Sequence, residues 1–139
     1  AAVFLGDGEG AVSFQIAKVL GGGGGVDISA RAYNAGNQSI PNAVWTTLNL
    51  NAEDYDTDTI HDLVTNPTRM TSKTAGKYVV LASVRFNSNT TGYRAIQLLK
   101  NGVIAGVDER PVSAASGTVG LSLGAILSCR IPRRRRRSR

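Results

Sequence analysis

The sequence predicts an all-β protein, and three observations support this fold class. Residues 76–86 alternate in the period of two that is typical of a strand. Further short apolar runs follow one another along the chain, separated by turn residues. The 16 glycines among 139 residues suit a chain of strands and turns. Because nothing indicates alternating strands and helices, we expect a β-sandwich or a β-barrel.

The stretch 76–86 is the clearest strand in the chain. One face is wholly apolar or aromatic and consists of Tyr78, Val80, Ala82, Val84 and Phe86. The other face is mixed, and it contains Val79 and Leu81 between polar residues. A strand of this kind is typical of a sandwich core, and its second face is suited to contact another subunit.

Length and cysteine content bound the class of protein. A chain of 139 residues has the size of one domain and can bury a core without disulfides or metal. The single cysteine, Cys129, excludes an internal disulfide and a cysteine-based zinc site. No apolar run approaches the length of a membrane span, and no signal-peptide pattern is visible at the N-terminus.

The net charge of +6 is a property of the C-terminal tail. Residues 130–139 hold seven of the sixteen basic residues, whereas residues 1–129 hold nine basic and ten acidic groups. The body of the chain is therefore nearly neutral, and nucleic acid is an unlikely partner for it.

The N-terminal 20 residues contain two apolar pieces, at 3–5 and 12–20. The glycines and acids between them predict a hairpin turn joining two strands, and a short helix over 11–20 is the weaker alternative. Gly21 to Gly25 predict a flexible linker. We therefore expect residues 1–20 to form an anchoring arm that packs on another subunit or protein, followed by a linker at 21–29.

Beyond the linker the pattern indicates strands throughout. We predict further strands at 30–34, 44–50, 69–71, 93–100, 103–107 and 118–127. Turns are predicted at 39–42, 66–67 and 87–92, and an acidic loop at 51–62. Asn101-Gly102 predicts a two-residue hairpin, since a type I′ turn needs positive φ at both positions.

Several motifs in a fixed order resemble a known family. They are Ala30-Arg31-x-Tyr33-Asn34, Ser39-Ile40-Pro41-Asn42-x-x-Trp45-Thr46, Tyr55-Asp56-Thr57-Asp58-x-x-His61-Asp62, Asn66-Pro67-x-Arg69, Ala75-Gly76-Lys77-Tyr78 and Val84-Arg85-Phe86. Together they resemble the TNF/C1q-like jelly-roll domains found in phage tail-fibre, appendage and head-decoration proteins. The resemblance covers about residues 30–127.

The resemblance implies a jelly-roll β-sandwich that assembles as a homotrimer and works by binding rather than catalysis. It places a jelly-roll domain at 30–128 and makes apolar and aromatic side chains line the trimer axis. We expect Tyr78, Val79, Leu81, Phe86 and Trp45 in the trimer interface or the core.

The C-terminus departs from the family pattern. Such domains continue after the strand equivalent to 118–127 with further closing strands, whereas this chain has a basic tail at 129–139. The domain is therefore expected to lack its last strands. One hypothesis is a frameshifted end, because GC-rich codons for this tail can read in another frame as a strand containing Gly-Asp-Asp-Val-Glu.

The arginine run is the strongest electrostatic feature of the chain. It consists of Arg133, Arg134, Arg135, Arg136 and Arg137. Such a run can bind an anion or nucleic acid by counterion release. The alternatives are a solvated tail and the frameshift.

The acidic loop is a weak candidate for a Ca²⁺ site. Asp54, Asp56 and Asp58 alternate there, but the glycine and the distal glutamate of an EF-hand are missing. We favour carboxylates that cap turns or pair with Arg31 or Arg69, and we expect neither a metal nor a cofactor.

Catalysis is not expected. The only histidine, His61, has no nucleophile elbow beside it in sequence, and the family resemblance makes it a structural loop residue. The glycines at 6–10 precede no βαβ unit, and Gly21 to Gly25 lack the lysine of a phosphate-binding loop.

Six aromatic residues could form a carbohydrate-binding platform: Tyr33, Trp45, Tyr55, Tyr78, Phe86 and Tyr93. Such residues more often fill a jelly-roll core or a trimer axis, and we expect Tyr55 and Tyr93 to be peripheral.

The sequence thus favours a non-enzymatic virion protein. The expected form is a trimeric jelly roll on a phage capsid or tail, either as decoration or fibre or as a host-receptor-binding knob. Its partners would be itself, capsid or tail proteins through residues 1–20, and a host-surface receptor or glycan. The alternatives are a secreted ligand-like jelly roll that binds a receptor or glycan, and nucleic-acid binding through the arginine tail.

Overall fold

The computed structural model describes residues 2–5, 12–20, 25–112 and 118–131, which form eleven strands and no helix. The strands are β1 (Ala2–Leu5), β2 (Val12–Lys18), β3 (Ser29–Tyr33), β4 (Thr46–Thr47), β5 (Ala52–Asp56), β6 (His61–Asp62), β7 (Asn66–Met70), β8 (Gly76–Phe86), β9 (Tyr93–Lys100), β10 (Val103–Pro111) and β11 (Val119–Cys129). The prediction of an all-β protein is confirmed.

The strands form two main antiparallel sheets that enclose one core. The four-stranded sheet has the order β10-β9-β1-β4 and the five-stranded sheet the order β11-β8-β2-β3-β5, while β6 and β7 pair separately. Side chains from both sheets share one apolar cluster, with Tyr78 and Phe86 on β8 and Ile96 and Leu98 on β9. This arrangement is a β-sandwich and is compatible with a jelly roll.

Strand β8 spans the predicted residues, and its alternation is confirmed. The five apolar side chains of its inner face are at most 5% exposed. It pairs with β11 along its whole length, from Phe86 opposite Val119 to Gly76 opposite Cys129. On its other side it pairs with β2, so β8 is internal to its sheet.

The N-terminal segment differs from the prediction. β1 pairs with β9 and β4, whereas β2 pairs with β8 and β3, so the two strands lie in different sheets and form no hairpin with each other. The expectation of a separate arm is also wrong for β2, because Val12, Phe14 and Ile16 are at most 7% exposed and belong to the core. The predicted turn at 6–10 and Gly21 to Gly24 of the predicted linker lie outside the described residues.

Other differences concern short polar segments. Only Thr46–Thr47 of the predicted strand at 44–50 is a strand, although Leu48 and Leu50 are buried. The predicted loop at 51–62 contains β5, an edge strand whose polar side chains can remain in solvent. The predicted turn at Asn66-Pro67 is the beginning of β7.

The β9–β10 hairpin confirms its predicted turn. Asn101 and Gly102 have φ values of 50° and 80°, as a type I′ turn requires, and they join Lys100 to its partner Val103.

The central position of β2 is testable by truncating one inward side chain. Phe14→Ala removes a buried ring and should lower the free energy of unfolding by about 3–5 kcal/mol. Gln15→Ala changes the neighbouring, outward side chain and should cost less than about 0.5 kcal/mol. Urea denaturation of both variants measures the difference, and equal small effects would mean that β2 is an arm and not a core strand.

Candidate assembly surface

The outer face of the five-stranded sheet carries the side chains that point away from the core. On β8 these include Val79 and Leu81, which are 36% and 50% exposed. Strand register places Ile126 of β11 beside Val79 and Gly124 beside Leu81. The mixed face of β8 is therefore exposed.

Val79, Leu81 and Ile126 form what we call the apolar patch. Ile126 is 69% exposed, and Ala17 of β2 extends the row on the other side of Val79. A Cβ atom at Gly124 would lie 3.3 Å from Cδ2 of Leu81, so the glycine leaves room for the leucine to lie over β11. The patch extends over adjacent strands, which makes it a candidate interaction surface.

The opposite end of the outer face is polar. Ser122, Ser83 and Ser13 stand side by side on β11, β8 and β2, and Tyr33 of β3 continues the row. The hydroxyl oxygens of Ser13 and Ser83 are hydrogen-bonded at 2.9 Å. The three serines and Tyr33 line an open depression of about 600 Å³, together with the longer side chains of Arg31 and Arg85.

Tyr78 and Phe86 belong to the core and not to this surface. The Tyr78 hydroxyl donates to the carbonyl oxygen of Thr74 at 2.7 Å. Burial raises the pKa of Tyr78, and the nearby Cys129 and Asp58 raise this pKa further. The Phe86 ring lies 5.8 Å from the guanidinium carbon of the buried Arg94, so the two predicted aromatics stabilise the domain itself.

Trp45 is not in the core, because 41% of it is exposed. It precedes β4, the edge strand of the other sheet, so the structure does not bring it to the apolar patch. A role in an interface stays a prediction. Tyr55 and Tyr93 are 45% and 47% exposed, which agrees with the peripheral positions predicted for them.

The carboxylates proposed for Ca²⁺ have separate partners. Asp54 pairs with Arg31. Asp56 accepts hydrogen bonds from the backbone N–H groups of Ile60 at 2.9 Å and His61 at 2.8 Å. Asp58 accepts from the Thr74 hydroxyl at 3.1 Å. Within the described residues no group of three or more His, Cys, Asp or Glu side chains is placed to hold a metal ion.

His61 has both ring nitrogens engaged. Its Nδ1 lies 2.8 Å from a carboxyl oxygen of Glu53, and its Nε2 donates to the carbonyl oxygen of Pro67 at 3.2 Å. The side chain is buried and joins β5 to β7. In the neighbouring turn, backbone N–H groups of Thr65 and Val64 lower the pKa of Asp62.

Ile126 is the interface candidate that sequence reasoning missed. The alternation of the predicted strand already places Ile126 on the same side as Gly120, Ser122 and Gly124. Only the strand register shows that Ile126 adjoins Val79. The predicted anion-binding run Arg133 to Arg137 lies outside the described residues.

Comparisons with protein-family models, with curated proteins and with solved structures found no match to this chain. Within the described residues there is no helix long and apolar enough to cross a membrane.

The two acidic residues Asp56 and Asp54 should differ in their effect on stability. Asp56→Ala leaves backbone donors of the turn without an acceptor and should cost about 2–3 kcal/mol of unfolding free energy. Asp54→Ala removes a half-exposed ion pair and should cost about 0–1 kcal/mol. Thermal unfolding with Ca²⁺ and with a chelator should be unchanged in the unsubstituted protein, and a large rise in melting temperature with Ca²⁺ would contradict the structural role.

Proposed function

We propose that the protein is a non-enzymatic structural component of a phage particle and acts as a homotrimeric jelly roll. The ordered motifs between Ala30 and Phe86 support this by their resemblance to TNF/C1q-like domains of virion proteins. The observation that carries the proposal is the apolar patch on the outer face of the five-stranded sheet.

The patch suits association because it combines exposed apolar side chains with small neighbouring residues. Val79, Leu81 and Ile126 stand on neighbouring strands, with Gly124 and Ala17 between and beside them. Burying these side chains stabilises an assembly by about 25 cal/mol for each Å² of apolar surface removed from water. In a trimer each subunit contributes the same face around one axis.

In the particle the domain serves as capsid decoration or fibre, or as a host-receptor-binding knob on the tail. From the sequence we expect residues 1–20 to attach the domain to the particle. The structure fits this less well, because β2 is internal to its sheet and both of its edges are already paired. We therefore assign attachment to surfaces outside β2.

Leu81→Asp tests the assembly. A carboxylate in the centre of the patch would have to lose its hydration in the interface, so trimers should dissociate to monomers with unchanged circular dichroism. Val64→Asp is the matched control, since Val64 is 91% exposed in a turn away from the sheet, and it should leave trimers intact. Sedimentation velocity measures both, and a monomeric unsubstituted protein or a trimeric Leu81→Asp variant would contradict the proposal.

The location is tested on purified particles from a host that produces the protein. Mass spectrometry should detect its peptides in the particle fraction in a fixed ratio to the major capsid protein. Recovery only from the culture supernatant, free of particles, would instead favour the secreted ligand-like alternative.

A further inference from the structure

A cleft opens at one end of the sandwich, where the β9–β10 turn lies near the ends of β7 and β11. Its volume is about 1020 Å³, which is at the upper limit of the sizes typical of small-molecule sites. The cleft belongs neither to the apolar patch nor to the serine row of the outer face. The cleft is therefore a separate candidate binding site.

The floor of the cleft is the hydrophobic core itself. Phe14 and Val80 contribute from the five-stranded sheet and Leu98 from the four-stranded sheet. These three side chains are at most 5% exposed, so the floor consists of core residues that have almost no contact with solvent. Leu127 and Met70 form half-buried walls, and the flexible methionine side chain adapts easily to a ligand.

The mouth of the cleft is basic. Arg69, Lys100 and Arg130 line it, and no aspartate or glutamate does. In the part of the chain that the structure describes, no carboxylate pairs with these three cations. Lys100 donates a hydrogen bond to the carbonyl oxygen of Ser128, which holds its ammonium group beside the end of β11.

We propose that the cleft binds an anionic amphiphile, that is, a single apolar chain that ends in a carboxylate or a phosphate. The apolar chain lies against Phe14, Leu98 and Leu127, and the anion binds at Arg69, Lys100 and Arg130. Both halves of such a ligand match the site: the floor gains apolar contact, and the unpaired cations gain a counter-charge.

The chain's own C-terminal segment is a poor occupant. Ile131, which follows Arg130, is 51% exposed and does not line the cleft. Residues 133–139 are six arginines and one serine, so they offer no apolar side chain to the floor and only like charge to the mouth. An external ligand of opposite charge is therefore favoured over the tail.

Isothermal titration calorimetry of the full chain tests the proposal with three probes of equal chain length. Dodecanoate, below its micelle concentration, should bind saturably with one molecule per chain. Dodecanol lacks the charge and should bind at least tenfold more weakly. Dodecyltrimethylammonium carries the opposite charge and should give no saturable binding.

Variants separate the two halves of the site. The double variant Arg69→Glu, Arg130→Glu should weaken dodecanoate at least tenfold and leave dodecanol unchanged. Arg85→Glu, an exposed charge change on the outer face, is the control and should retain dodecanoate affinity. Leu127→Trp fills the cleft from its wall and should weaken both dodecanoate and dodecanol.

Three results would overturn the proposal. These are the absence of saturable dodecanoate binding, equal affinity in the double variant and in Arg85→Glu, and binding to phosphatidylglycerol vesicles without binding of monomeric dodecanoate. The Leu81→Asp monomer should bind dodecanoate as the unsubstituted protein does, so failure of the trimer does not affect this test.

Discussion

The burial of Phe14 between two alanines fixes strand β2 in the core of the sandwich. In the five-stranded sheet, strand register places Ala32 on one side of Phe14 and Ala82 on the other, and Leu123 lies beyond Ala82. The small neighbours leave room for the ring over the core, and alternation of large and small side chains fills such a layer without strain. Burial of Phe14, together with the pairing of β2 to β3 and β8, makes β2 an internal strand of the sheet.

The position of β2 then constrains the rest of the fold. With β2 in the middle of one sheet, β1 lies in the other sheet, between β9 and β4. The N-terminus thus contributes an internal strand to each layer. β8, paired on both sides, has no free edge, and its only free surface is the outer face with Val79 and Leu81.

Local sequence patterns predict individual strands and turns well, but they predict poorly which strands pair with each other. β8 and β9 have the predicted bounds, and the Asn101-Gly102 turn has the predicted geometry, because alternation and turn chemistry are properties of adjacent residues. The pairing of β1 and β2 was wrong because alternation says which face of a strand is apolar but not which sheet the strand joins. The same limit applies to the exposed surface. The alternation of β8 alone places Leu81 on the outer face of its strand. Only the pairing of β11 with β8 shows that Ile126 lies beside Val79.

The acidic segment shows a second limit of prediction from sequence. Asp54, Asp56 and Asp58 alternate in sequence and would share one face of a regular strand. A bulge interrupts the pairing of β3 with β5 between Arg31 and Ala32, and β5 ends at Asp56. The three carboxylates consequently point to an arginine, to turn amides and to a threonine hydroxyl. Irregularities of this kind depend on tertiary context that the spacing of the residues does not contain.

The two proposed binding surfaces use adjacent residues of one strand. Ile126 points outward to the apolar patch, and Leu127, the next residue of β11, lines the cleft between the sheets. Since successive side chains of a strand point to opposite faces, the same eleven-residue strand can serve both surfaces without sharing a side chain. Arg69 and Lys100 at the mouth belong to β7 and β9, outside the five-stranded sheet. Assembly through the patch therefore leaves these two cations free to bind an anion, and neither function requires the other.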